Sequence, residues 1–379
     1  MTDKKHLLII AGEISSDNHG YKLIKELKKQ GQVEITAVGG SKMASVADNF
    51  EENIVGKAVV GFVEVIKVIP YFIGLKNKLV KKFFQKSSEK PIDGLVLIDY
   101  PGFNVRLAKI ACKYNVPVFY YITPQVWAWG SSRIGLLSEI CRKMYCVFEF
   151  EKKIFEEAGG SVEFVGHPLL EDIPGEIDIE KFNMNNNLSE DEKVIAVLPG
   201  SRISEVEKHL PIIAGALADI KARIIIGRAS SVPEKLIYDF MDEPGLTGNV
   251  YTLLKRAEIA VVSSGTSTLE ATVIGVPFIT VYKVSKLSYS IANLLGNREF
   301  IRKGCISMVN ILAGKQVVPE LVQKEFTVDN LKEEINGLLN SPDKITLMKE
   351  ELKKIRNKIG SQGASERTAG SILKELAEE

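Results

Sequence analysis

Two loops in the second half of the chain have the residue types and spacing that hold a phosphate. In "VIAVLPGSRISEVEKHLP" an apolar run ends at Pro199-Gly200-Ser201-Arg202 and a helical pattern follows at once. Gly200 lets a ligand approach the backbone closely, and Arg202 can form paired bonds to phosphate oxygens. Ser204, with Glu207 three residues later, reads as the capping box of that helix. In "AVVSSGTSTLEATVIGVP" a second apolar run gives way to Ser263-Ser264-Gly265-Thr266 and then a helix, whose unbonded N–H groups and hydroxyls suit an anion. Glu270 lies one turn inside that helix, too late to cap it and well placed to accept bonds from ribose hydroxyls. Neither loop has the G-x-x-x-x-G-K-[ST] pattern, so a nucleoside diphosphate held without metal fits better than ATP hydrolysis.

The first half offers carboxylates instead of phosphate loops. "AGEISSDNHG" follows the first apolar run, where a dinucleotide fold would carry glycines, yet it holds Glu13 and Asp17. Asp99 ends the apolar run "GLVLI" and precedes the rigid turn Tyr100-Pro101-Gly102. With Asn104 read as the cap of the next helix, Asp99 is left for chemistry, and a general base is its expected role. Glu13 is the alternative base.

Positioning these groups takes a regular scaffold. Leu7 to Ile10, Ile35 to Val38, Leu95 to Ile98, Val118 to Tyr121, Met144 to Phe148 and Val162 to Val165 read as strands, with amphipathic segments such as Asn104 to Tyr114 between several of them. After the polar stretch "EDIPGEIDIEKFNMNNNLSEDEK" a second series follows: Val194 to Leu198, Ala222 to Ile226, Ile259 to Val262 and Phe278 to Val281. Strands alternating with helices predict parallel sheets covered on both faces. The expected fold is α/β, with two doubly wound Rossmann-like domains facing a cleft. The domains are read as 1–172 and 173–342. A charged helical segment, 343–379, is expected to pack back on the first domain or on a partner subunit.

Composition narrows the class further. The 379 residues are 45% apolar and 26% charged, enough for two domains with real cores, and the formal net charge of +1 argues against a dedicated nucleic-acid binder. Cys112, Cys141, Cys146 and Cys305 show neither C-x-x-C pairs nor nearby histidines, so they read as buried thiols in a reducing compartment and no metal is expected. No signal peptide is evident, and no window reaches the roughly 18 uninterrupted apolar residues of a membrane span. A cytoplasmic protein is the expectation.

The strings "AGEISSDNHG", "LIDYPGFNVRLAK", "YYITPQVWAW", "FEFEKKIF", "FVGHPL", "LPGSR", "SSGTSTLEATVIGVP" and "VNILAGKQVVPELVQ" resemble, in order and spacing, the lipid-A-disaccharide synthase family. The likeness runs from the first strand to about Gln323. It implies an inverting, metal-independent hexosyltransferase of the GT-B type that needs no cofactor. The implied donor is UDP-2,3-diacylglucosamine and the implied acceptor 2,3-diacylglucosamine 1-phosphate, giving the β-1,6-linked lipid A disaccharide 1-phosphate and UDP. The resemblance carries Glu13, Asp99, Arg202, Glu270, Asn310 and Gln323 as site residues, the last two as polar contacts. It also suggests a homodimer with exchanged C-terminal parts. His167 in "VGHPL" is a further cleft residue, and Trp127 and Trp129 are read as packing.

Acylated substrates imply a peripheral membrane surface on the inner face of the inner membrane. Residues 57–86 hold seven lysines against one acidic residue, Glu64, interleaved with Phe62, Tyr71, Phe72, Phe83 and Phe84, a composition suited to anionic lipid. Pro70 is expected to break this segment. Three departures from the family pattern stand out: only Arg133 follows "WAW" where a basic cluster is usual, Ser16 replaces a glycine, and Met308-Val309-Asn310 replaces Leu-Pro-Asn. A UDP-sugar 2-epimerase, or a silent UDP-sugar binder, could use the same two-domain fold.

Overall fold

In the computed structural model, residues 4–55, 62–85, 87–126, 131–283 and 306–378 are described, with backbone only for 62–67. The chain forms two compact units, Met1–Glu171 with Ile359–Glu379, and Asp172–Leu294 with Arg298–Lys358.

Unit 1 is built on a seven-stranded sheet in the order β3-β2-β1-β4-β5-β6-β7. Its strands are β1 Lys5–Ala11, β2 Val33–Gly39, β3 Asn49–Asn53, β4 Gly94–Ile98, β5 Val118–Tyr121, β6 Lys143–Cys146 and β7 Val162–Phe164. All pair in parallel. The alternation of strand side chains divides the core into two layers. Leu8, Ile10, Leu95, Leu97 and Tyr120 join one cluster, and Leu7, Ile9, Val96, Ile98 and Tyr121 the other. The layers are covered by helices that include α1 (Ile14–Gln30), α2 (Phe62–Leu79) and α3 (Pro101–Lys113). Helix α2 continues through Pro70 rather than breaking there, and Pro70 lies exposed within it.

Unit 2 repeats the design with six strands in the order β10-β9-β8-β11-β12-β13. They are β8 Val194–Leu198, β9 Arg223–Gly227, β10 Gly245–Thr247, β11 Ile259–Ser263, β12 Phe278–Tyr282 and β13 Glu320–Val322. Its helices include α4 (Ile203–Leu217), α5 (Thr266–Ile274) and α6 (Pro342–Lys358). The chain then returns to unit 1, where α7 (Ala364–Ala377) packs on α1. Residues 343–379 are therefore shared between the units instead of acting as one segment. No helix among the described residues is long and apolar enough to cross a membrane.

In each sheet the strand order reverses once, between β1 and β4 and between β8 and β11. The crevice outside the carboxyl ends of such strands is where open α/β sheets bind ligands.

Candidate active site

Glu13 and Asp99 both lie at the reversal point of unit 1. The last register pair between β1 and β4 is Ala11 with Ile98, and each carboxylate follows just beyond it. The turn after β4 is unusual, since Asp99 (φ 47°) and Tyr100 (φ 48°) are consecutive left-handed residues with side chains. Its cost is met by backbone bonds: the Asp99 N–H donates to Tyr121 O at 3.1 Å, while Tyr120 Oη and Asn104 Nδ2 donate to Asp99 O at 2.7 and 2.8 Å. The Asn104 amide also reaches Ile98 O at 3.2 Å. Asn104 is therefore buried inside α3 as a brace for the strand end, and the residue capping α3 is Tyr100, not Asn104.

Gly12, between β1 and Glu13, meets the turn after β4. A Cβ there would lie 2.4 Å from the Tyr100 ring, so only glycine lets the aromatic side chain close over the end of β1. Burial, and then the negative charge of Glu13, push the Asp99 carboxyl up to about 7. The Tyr100 N–H bonds to the Asp99 carboxylate and opposes that rise. Asp17 does different work. Its carboxylate accepts from the N–H groups of Gly40 (2.7 Å), Lys42 (3.1 Å) and Met43 (3.1 Å), which anchors the turn after β2.

Both loops at the reversal point of unit 2 are those singled out by sequence. Gly200 has φ +127°, and a Cβ on it would stand 2.9 Å from Glu205 Oε2 and 3.6 Å from Ser263 Oγ, so the two loops converge on one backbone position. Helix α4 starts with Arg202 as its N-cap, so Ser204 and Glu207 do not form the expected capping box. Arg202 Nη1 instead donates to Glu205 Oε1 at 2.8 Å, which lays the guanidinium along the helix start. Ser201 is tied by its carbonyl, which accepts from Ser231 Oγ at 2.6 Å. After β11, Ser264 N–H donates to Val281 O, and Gly265, at φ 142°, opens α5 with Thr266 as its first residue. Ser263 is buried, while Gly265 and Thr266 are exposed. Glu270 accepts from Tyr251 Oη at 3.5 Å, and burial, with the nearby Asp172 charge, pushes its carboxyl up to about 7.

The profile of the lipid-A-disaccharide synthetase family matches residues 7–374, almost the whole chain. The chain belongs to that family. Among curated relatives, the lipid-A-disaccharide synthase of Syntrophus aciditrophicus (strain SB) is 37% identical over 98% of both chains. The one from Geobacter sulfurreducens is 34% identical, again over 98% of both. Solved structures share the fold at lower identity. A UDP-GlcNAc 2-epimerase from Neisseria meningitidis has a TM-score of 0.64 at 15% identity, covering 98% of this chain and all of that one. A calicheamicin glycosyltransferase has a TM-score of 0.62 at 14% identity, covering 99% of each. As a lipid-A-disaccharide synthetase of GT-B type, the chain is a glycosyltransferase of lipid A biosynthesis.

Other expected residues of this synthetase are placed differently. Asn310 spends all its hydrogen-bonding capacity inside unit 2: Nδ2 donates to Val318 O and Glu320 Oε1, and Oδ1 accepts from the N–H groups of Val317 and Val318. It braces the approach to β13 and has nothing left for a ligand. Gln323 follows β13 with φ 54°, and its buried Nε2 has no protein partner among the described residues, which leaves a donor to offer. His167 is buried in unit 1, where Nδ1 accepts from Leu169 N–H at 3.1 Å and the ring lies beside Phe148 and His19. Burial, and then His19, lower it to about 3, so the ring is neutral.

Phe83 and Phe84 are 1% and 3% exposed in the core, which removes both from the expected membrane surface. The turn after α2 directs them inward beside Leu79. Tyr71 and Phe72 are half-buried. Tyr71 Oη donates to Glu52 at 3.0 Å, and Phe72 packs on Tyr100 and Phe103. Two of the lysines are partly neutralised, Lys78 by Glu51 and Glu52 and Lys82 by Glu51. Of the cysteines expected to be buried, Cys141 and Cys146 are, whereas Cys112 is exposed near the end of α3; the Phe62 side chain, Trp127, Trp129 and Cys305 lie outside the described residues.

Sequence reading missed Gly12, Tyr100, Glu205, Tyr251 and His209. For His209 a signal existed: Val206, His209, Leu210 and Ile213 follow the i, i+3, i+4, i+7 spacing of a buried helix face, and a histidine on that face needs polar partners.

Proposed function

We propose that this chain transfers 2,3-diacylglucosamine from UDP-2,3-diacylglucosamine to a hydroxyl of 2,3-diacylglucosamine 1-phosphate, with inversion at the anomeric carbon. The products are the β-1,6-linked disaccharide 1-phosphate and UDP. The observation that carries the chemistry is the coupled Glu13–Asp99 pair at a strand reversal point, with Asp99 poised near neutral pH. A general base works best when its pKa lies near the operating pH.

In this reading Asp99 takes the proton of the acceptor hydroxyl as that oxygen bonds to the anomeric carbon and the bond to the diphosphate breaks. Glu13 keeps the Asp99 carboxyl high and orients the acceptor. Charge that builds on the departing UDP is met by Arg202, by the N–H groups around Gly200 and Ser201, and by the Ser263-Ser264-Gly265-Thr266 helix start. Glu270 accepts from the ribose hydroxyls, and Gln323 offers its amide N–H to donor or acceptor.

The reading includes peripheral contact with anionic lipid on the inner face of the inner membrane. Ile69 and Ile73, 37% and 48% exposed, and Pro70 give α2 an apolar outer face. A homodimer belongs to the same reading, and light scattering of the purified protein checks it.

The direct test incubates purified protein with the two lipid substrates in detergent, without added divalent metal, and follows products by mass spectrometry. Disaccharide 1-phosphate and UDP in equal amounts are expected. A donor recovered as its 2-epimer, or UDP bound with no product, would contradict the assignment.

A further inference from the structure

His209 is 0% exposed and uses both ring nitrogens. Nδ1 lies 2.7 Å from Pro199 O, at the start of the Gly200–Arg202 loop, and Nε2 lies 3.0 Å from Lys283 N, just past β12. A carbonyl can only accept and a backbone N–H can only donate. The imidazole is thus neutral, with its proton on Nδ1. Burial lowers its basicity, which agrees with a neutral ring.

The position of the bridge is unusual. Strands β8 and β12 are not neighbours, because β11 lies between them. A single imidazole from α4 therefore spans the carboxyl end of β11, from which the Ser263–Thr266 loop departs. The rings of Tyr282 and Phe326 flank it at 6.2 and 5.6 Å and hold its plane. Pro199 O is one peptide from Gly200, a position that its φ of +127° and the 2.9 Å between a Cβ placed there and Glu205 Oε2 restrict to glycine.

We propose that His209 is a positioning residue that clamps the Pro199–Arg202 loop against β12 and so fixes the geometry in which unit 2 holds the diphosphate of its nucleotide. This rests on the reading of that loop as the UDP-diphosphate cradle. His209 touches no substrate. Its effect reaches the ligand through Pro199 O, which sets where the N–H groups of Gly200 and Ser201 point.

The test compares UDP affinity, measured by calorimetry on the full chain, in His209→Asn, His209→Gln and Arg202→Ala, with Tm recorded for each. Asparagine places its amide N–H near the position of Nδ1 and keeps the bond to Pro199 O, whereas glutamine reaches the Nε2 position and loses it. The expected result is about a tenfold loss of UDP affinity in His209→Gln, and affinity within about threefold of the unsubstituted chain in His209→Asn, at similar Tm. Equal UDP affinity in all three histidine forms would overturn the inference. So would equal losses in Asn and Gln that track the fall in Tm, because the imidazole would then be packing only. Arg202→Ala separates the two levels. Unchanged UDP binding there would remove the cradle itself, whereas weakened binding there with His209→Gln unaffected would remove only the clamp.

Discussion

The Asp99 carboxyl is held near neutrality chiefly by burial and secondarily by Glu13. Its ionised form is the one that can accept a proton, so kcat/KM should rise with pH through a limb near 7. Glu13→Gln removes the like charge and leaves the burial. The limb should then move to lower pH while staying above the ordinary carboxylate range, and a limb that does not move would show the pair to be uncoupled. The same shift has a stability consequence of opposite sign to the usual one for carboxylates. A folded-state value above the unfolded 3.8 means the native state binds the extra proton, so stability falls as pH rises from about 4 to about 7. The Tm advantage of Asp99→Asn should therefore widen between pH 5 and pH 8, which thermal melts at the two pH values would show. In unit 2, Arg202→Ala removes a charge-assisted contact and should weaken UDP binding about tenfold or more. Legibility at this scale followed chemistry. Asp99, Glu13 and the two phosphate loops stood out because polar groups ended apolar runs. Asn310 misled, because its amide is consumed by Val317, Val318 and Glu320, partners that only the fold brings to it.

Helix α2 shows why element-level expectations divided. The aromatic and basic residues of 57–86 were read as one surface, but helical geometry sorts them. Ile69 and Ile73 face outward, Phe72 packs on Tyr100, and the turn after the helix buries Phe83 and Phe84. Since Tyr100 closes over Gly12 and its N–H bonds to the Asp99 carboxylate, Phe72 ties the outer helix to the Asp99–Tyr100 turn. Replacing Ile69 and Ile73 with serine should lower recovery with anionic vesicles in flotation while Tm stays within a few degrees. Phe83→Ala should instead cost about 3–5 kcal/mol of stability, as for other buried aromatics. Denaturant melts separate the two. If the serine variant floats as before, α2 is not the lipid contact. The strands the sequence did not reveal, β3, β10 and β13, are all edge strands. Asn49–Asn53 is half-exposed and polar, and the other two are three residues long, so none leaves an apolar run to read. The central strands, buried on both faces, were plain.

In the proposed reading the chemistry is divided between the two units, with the Glu13 and Asp99 carboxylates on the first and the anion-holding loops on the second. Sequence spacing made this division legible, since the acidic turn after β1 and the Gly-Ser-Arg turn after β8 occupy equivalent places in two similar sheets. The allotment of the C-terminal stretch was not legible, because α6 and α7 are both charged amphipathic helices and only packing assigns one to each unit. The central claim is that Asp99 removes the acceptor's proton while the second unit binds UDP independently. It is tested most directly by measuring turnover and UDP affinity together in Asp99→Asn. Turnover lower by about a hundredfold or more, with UDP affinity unchanged, is the predicted result. Turnover equal to that of the unsubstituted chain would contradict it.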